Sequence, residues 1–126
     1  YTTNDALRML RFIRETRKQG IKIVGISIGE YGLATRILGP VYGNAITYAA
    51  VSDNHKTAPG QLTVDELVQR YHYRKLNHET EVYGLVGDPV VKSPSHITHN
   101  YVFGKLGRNA VYVKFNVTPA ELHEFM

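Results

Sequence analysis

Apolar residues recur at helical spacing in the first twenty positions: Leu7, Leu10 and Ile13 fall on one side and Arg8, Arg11, Arg14, Arg17 and Lys18 on the other. The pattern predicts an amphipathic helix over Thr2 to Gly20, capped by Thr3 or Asn4 and stopped by Gly20. The pattern then changes. "IKIVGISIG" (21–29) is an almost continuous apolar run, as expected of a parallel strand covered on both faces. "GLATRILGPVYG" (32–43) reads as a short helix limited by Pro40, "AITYAAV" (45–51) as a second buried strand, and "SDNHKTAPGQ" (52–61) as a loop. Thr63 and Glu66 have the spacing of a capping box ahead of Val64, Leu67, Val68 and Tyr71, which predicts another helix.

Periodicity is lost in "YRKLNHETE", and a linker is expected near Asn77 to Thr80. A second series follows: a strand in "VYGLVG", a helix from Pro94 stopped by Gly107, a strand in "AVYVKFNV", and a helix opened by Thr118, Pro119 and Glu121. Strands alternating with helices on both sides of the linker predict α/β architecture throughout. The sequence opens on Tyr1, not an initiator, directly ahead of a complete helix and closes on Met126 just after another has begun, and it is read as an internal segment of a longer protein.

Composition narrows the picture. The 126 residues are 43% apolar, enough for one ordinary core, and contain no cysteine, which excludes a disulfide framework and thiolate metal sites. No apolar run reaches the roughly 18 residues of a membrane span. A net charge of +4 raises the question of nucleic acid. The basic residues lie mostly on the outer side of the first helix, as on a solvated face, and no zinc knuckle or aromatic-basic platform accompanies them. No nucleic-acid or membrane partner is therefore expected. A cytoplasmic location is expected, with an organellar stroma as the alternative.

The chemistry before the linker is concentrated in two loops. In α/β barrels the loops after the last strands commonly hold an anionic group. One loop here carries Gly29, Gly32 and Arg36, and the other ends in Thr57, Ala58, Pro59, Gly60 and Gln61. A guanidinium forks onto a carboxylate, while a hydroxyl and a primary amide bond the remaining oxygens, a set suited to a small polyhydroxylated acid. The same residues also suit a surface arginine and an ordinary Pro-Gly turn.

"SIGEYGLATRI", "VYGNAITYA" and "TAPGQLTVDEL" together resemble the end of type I 3-dehydroquinate dehydratase, over roughly Tyr1 to Leu76. The resemblance implies the C-terminal part of a (β/α)8 barrel in residues 1–78. It also implies dehydration of 3-dehydroquinate through a lysine Schiff base assisted by a histidine. By the same resemblance Arg36 clamps the substrate carboxylate, Thr57 and Gln61 complete the polar pocket, and Tyr48 belongs to its aromatic wall. Thr57 stands where the family commonly has serine, and Ile26 and Ile28 where methionines are frequent. No lysine here suits the Schiff base: Lys22 is at the wrong end of its strand and Lys56 is in an open loop. The lysine and histidine are expected upstream, and His55 is read as a loop histidine.

After the linker, Ser93 reads as an N-cap and Pro94 as a first helical residue. A helix N-terminus flanked by two hydroxyls also suits a carboxylate. "YGLVGDPVVKSPSHITHNYVF" with "AVYVKFNV" resembles the start of shikimate dehydrogenase, whose pattern G-x-P-[IV]-x-H-S-x-S-P-x-x-H-N is matched by Gly87, Pro89, Val90, Ser93, Ser95, His99 and Asn100. Lys92 and His96 depart from it. The resemblance implies that residues 79–126 begin a substrate-binding domain in which Ser93 and Ser95 hold the carboxylate of shikimate or 3-dehydroshikimate. His99 and Asn100 are assigned to helix packing and capping bonds. By the same resemblance the family's catalytic lysine and aspartate, and its NADP loop, are expected downstream. Gly84 and Gly87 do not make a dinucleotide fingerprint.

The two resemblances in succession imply the junction of a bifunctional enzyme that converts 3-dehydroquinate to 3-dehydroshikimate and then to shikimate with NADPH. Two other readings use the same folds: a non-catalytic protein that senses quinate-like acids, and a longer multifunctional enzyme ending in these domains.

Overall fold

The computed structural model describes residues 2–126. Helix α1 spans Thr3–Lys18, within the predicted range, but its cap lies one or two residues before the predicted one. Its cap is Thr2, whose hydroxyl accepts from the Asp5 amide at 3.2 Å while Asp5 returns a bond to the Thr2 amide at 2.9 Å. A second acceptor three residues on made Thr2 the better cap than Thr3 or Asn4. Leu10 and Ile13 are fully buried and the five basic residues exposed, as the pattern requires.

The two expected strands of the first half are not formed. Residues 21–28 and 45–49 carry no ladder, and Ala50 alone makes a parallel bridge, to Thr63. An apolar run becomes a strand only when a neighbour supplies hydrogen bonds. Here the Asn44 side chain takes that place, accepting from the Gly25 amide at 2.9 Å and donating to its carbonyl at 3.0 Å. Ile21, Val24, Ile28, Ile46, Tyr48 and Val51 consequently stand exposed rather than covered.

Helix α2 (Leu33–Tyr42) contains Pro40 in its last turn. Proline has no N–H to give the carbonyl four residues back, that of Arg36, which instead lies 3.5 Å from the Thr47 hydroxyl. Gly43, at φ 94°, ends the helix. The capping box at Thr63 forms as predicted, with Glu66 bonding the Thr63 amide at 2.9 Å, yet the segment it opens closes as a π-helical turn over Glu66–Arg70 instead of an α-helix.

The predicted linker is a tied turn. Thr80 N bonds Asn77 O at 3.0 Å, and the Thr80 hydroxyl reaches Asn109 Oδ1 at 2.7 Å. Beyond it, β1 (Glu81–Gly87) and β2 (Ala110–Asn116) pair in parallel, with Glu81 opposite Ala110. They are joined through α3 (Ser95–Lys105), which starts one residue later than predicted, and Gly107 at φ 62° follows that helix. The helix expected from Pro119 is shorter than its opening residues suggest, since α4 covers only Leu122–Phe125.

Alternation along β2 sorts its residues. Val111, Val113 and Phe115 enter a core shared with Leu10, Ile13, Ile37 and Leu38, while Tyr112, Lys114 and Asn116 face α3 and the turn before it. Asn100, fully buried, receives a bond from the Tyr112 amide at 2.8 Å and donates to the Tyr112 carbonyl at 2.8 Å. Its side chain thus takes the place of a peptide group on the edge of β2 away from β1.

Candidate functional site

The two loops of the first half meet through their backbones. Gly29 N bonds Pro59 O at 3.2 Å, and a Cβ on Gly60, at φ 74°, would strike the Gly29 carbonyl. This approach forms a depression of about 520 Å³ lined by Glu30, Leu33, Lys56, Thr57 and the Ala58–Leu62 segment. Within it Gln61 Oε1 accepts from Thr57 N at 2.8 Å and from the Thr57 hydroxyl at 3.2 Å. That arrangement turns the Gln61 amide nitrogen, with two donors, toward other partners.

Arg36 lies on α2, only 4% exposed. Its Nη1 lies 3.5 Å from the Tyr48 carbonyl, its buried Nε has no partner, and it makes no ion pair among the described residues. Burial pushes its pKa down. The Tyr48 ring is exposed and lines a separate depression with Thr47, Val64, Val68 and Tyr73. The structure therefore joins Thr57 with Gln61, and Arg36 with the Tyr48 backbone. Neither Arg36 nor Tyr48 lines the Thr57–Gln61 depression.

Lys56 is ion-paired to Asp53 at 2.7 Å and lies 3.6 Å from Glu66. The bond to Asp53 holds its ammonium above the usual range, the reverse of what an imine-forming amine needs. His55 bonds its loop neighbour Ser52 at 2.7 Å, as a loop histidine does.

In the second half, Ser93 and Ser95 converge at the opening of α3, their hydroxyls 3.0 Å apart. Ser95 N also donates to the Ser93 hydroxyl at 3.3 Å, so Ser93 serves the first turn although Pro94 occupies the cap position itself. His99 Nδ1 lies 2.8 Å from Ser95 O, and the ring stacks on Tyr112 with centroids 4.3 Å apart. Together with the bonds of Asn100, this gives both residues packing roles, while their hydrogen bonds go to the Ser95, His96 and Tyr112 backbone rather than to the helix caps expected for them.

Sequence reasoning passed over Lys114. Its Nζ donates to Val91 O at 2.9 Å and to Ser93 O at 3.1 Å, fastening the serine turn to β2. Burial, then the nearby Arg70, press the Lys114 pKa down. Asn116 supports the same turn, accepting from Val90 N at 3.2 Å. The alternation in "VYVKFN" puts both residues on one face, but nothing local says what that face meets. Sequence reasoning also missed His96, buried against Tyr71 with an unpartnered Nδ1; burial, then Lys114 and Arg70, push its pKa down to about 4.

The glycines of β1 do not suit a dinucleotide. A Cβ on Gly84 would strike the Phe115 ring, and Gly87 leads into a turn at Asp88–Pro89 rather than into a helix N-terminus.

Among the described residues no helix is long and apolar enough to cross a membrane. The chain is 40% identical over 116 residues to the shikimate biosynthesis protein AroDE of Chlamydia pneumoniae, covering 92% of this chain and 24% of that protein. It is 36% identical over 112 residues to the chloroplastic bifunctional 3-dehydroquinate dehydratase/shikimate dehydrogenase of Arabidopsis thaliana, covering 89% and 19% respectively. A 3-dehydroquinate dehydratase of Methanosarcina barkeri is 41% identical over 63 residues, 50% of this chain and 26% of that protein. The chain thus spans a quarter or less of the length of the first two relatives. Similarity to the AroDE protein and to the bifunctional Arabidopsis protein runs through both halves, while the family model described as type I 3-dehydroquinase matches residues 1–78, and by that match the chain belongs to the type I 3-dehydroquinase family.

Proposed function

We propose that the chain is part of a bifunctional shikimate-pathway enzyme that dehydrates 3-dehydroquinate to 3-dehydroshikimate and reduces that product to shikimate with NADPH. Residues 1–78 contribute to the dehydratase barrel and 79–126 open the substrate-binding domain of the dehydrogenase. The observation that carries this reading is Arg36: a guanidinium 4% exposed, with an orphaned Nε and no acidic partner among the described residues. A buried cation without a counter-charge is costly, and a ligand carboxylate supplies one.

In this reading Arg36 forks onto the carboxylate of dehydroquinate. The Gln61 amide and the Thr57 hydroxyl hold ring hydroxyls, and Tyr48 contributes to the aromatic wall. Ser93 and Ser95 bind the carboxylate of dehydroshikimate or shikimate at the opening of α3. These residues bind and orient. The imine-forming lysine and its histidine come from outside this chain, as do the dehydrogenase lysine and aspartate. When bound, NADPH supplies the hydride; the residues of this chain do not form its site.

The test is the full-length polypeptide supplied with dehydroquinate and NADPH. It is expected to consume the cofactor and release shikimate. Binding of these acids with neither dehydroshikimate nor NADP produced would instead identify a sensor built on the same folds.

A further inference from the structure

Three side chains at alternate positions of β2 face the opening of α3. The Tyr112 ring stacks on His99, Lys114 holds the Val91 and Ser93 carbonyls, and Asn116 holds the Val90 amide. Lys114 is the charged member of this row. Two of its three N–H donors are spent on the serine turn, and it has no acidic partner among the described residues. An ammonium is a compact point charge, held here by carbonyl oxygens that fix it without neutralising it.

We propose that Lys114 is a positioning residue of the second acid-binding site, setting the serine turn so that both hydroxyls converge and placing an uncompensated positive charge behind them that favours a carboxylate ligand. The inference rests on the reading of Ser93 and Ser95 as that site. The geometry supports it from two directions. Ser93 is the residue whose carbonyl Lys114 holds, and its hydroxyl lies 3.0 Å from that of Ser95, so a displacement of the turn separates the pair. The charge acts through a partly buried side chain, where solvent screens it less than on an open surface.

The experiment uses the full-length polypeptide in the oxidation of shikimate by NADP, with Lys114→Gln, Lys114→Arg and Ser95→Ala. Lys114→Gln is expected to raise KM for shikimate about tenfold, equivalent to about 1.4 kcal/mol. KM for NADP and kcat should stay within about twofold, which a general loosening of the fold would not give. Lys114→Arg, which keeps the charge and can still donate to both carbonyls, is expected to recover most of the affinity. KM does not depend on how much of a preparation is folded, so a poorly folding variant remains informative, and Lys114→Met serves as a second neutral replacement. An unchanged shikimate KM in both neutral variants, or equal rises in both KM values, overturns the role of Lys114. If Ser95→Ala also leaves the shikimate KM unchanged, the serine pair is not the acid site and the underlying reading falls with it. A rise in Ser95→Ala alone leaves that reading standing and removes only Lys114.

Discussion

Gln61 holds Thr57 twice, its side-chain oxygen accepting from the amide at 2.8 Å and from the hydroxyl at 3.2 Å, so the loop of the first depression is closed by its own final residue. Replacing Gln61 with alanine is expected to cost about 1 kcal/mol, because water can satisfy the exposed Thr57 groups. On the proposed function, the dehydratase KM of the full-length protein should rise, which a loss of stability alone does not cause. Thr57→Ser, which retains both donors, should change little. Urea denaturation and initial-rate kinetics check the pair.

On the proposed function, Arg36 separates stability from activity. Arg36→Met removes a buried cation and fills the same space with an apolar chain, so stability should be unchanged or higher by about 1 kcal/mol. Dehydratase turnover should fall by about a hundredfold or more, as for loss of a charged ligand contact, while reduction of supplied dehydroshikimate is spared. Loss of both activities, with an early unfolding midpoint, would count against the assignment.

Asn100 is expected to be among the most sensitive positions in the second half. Its side chain serves the Tyr112 amide, the Tyr112 carbonyl and the His96 carbonyl, at 2.7–2.8 Å, with no exposure to water. Asn100→Leu should cost about 3 kcal/mol through buried groups left unpaired. Asn100→Asp should also destabilise, since it loses the donor. Chemical denaturation gives both values.

His96 makes stability depend on acidity in a defined window. Its folded pKa, about 4, lies below the ordinary value of 6.5, so between those two values the unfolded chain binds the extra proton. Stability therefore falls as pH drops through that window, by up to about 3 kcal/mol from this residue. It is fully regained above neutrality. Denaturation midpoints of the chain and of His96→Phe, measured from pH 7.5 to 4.5, should show the midpoint of the chain falling relative to that of the variant toward the acid end, with the variant showing the flatter profile.

Much of the local structure could be read from the residues because its causes are local. The box at Thr63 and Glu66, the stops at Gly20 and Gly107, and the apolar runs of β1 and β2 each follow from neighbours in sequence. Residues 21–28 show where that reasoning stops: their composition suits a strand, but a ladder needs a partner, and Asn44 supplies only one residue's worth of bonds. The π-helical turn after Thr63 is similar, since a cap fixes where a turn starts and not its hydrogen-bond spacing. Of the site, the residue types of Thr57, Gln61, Ser93 and Ser95 were readable and their pairing distances were not. Lys114 could be placed on a face but not against Ser93, because the two are joined only when β2 returns beside β1.

The amide of Asn100 imitates a neighbouring strand at the centre of β2. A strand adding on that border would have to displace this amide at Tyr112, so one side chain disfavours edge pairing, by this chain or another molecule, on that side of the sheet.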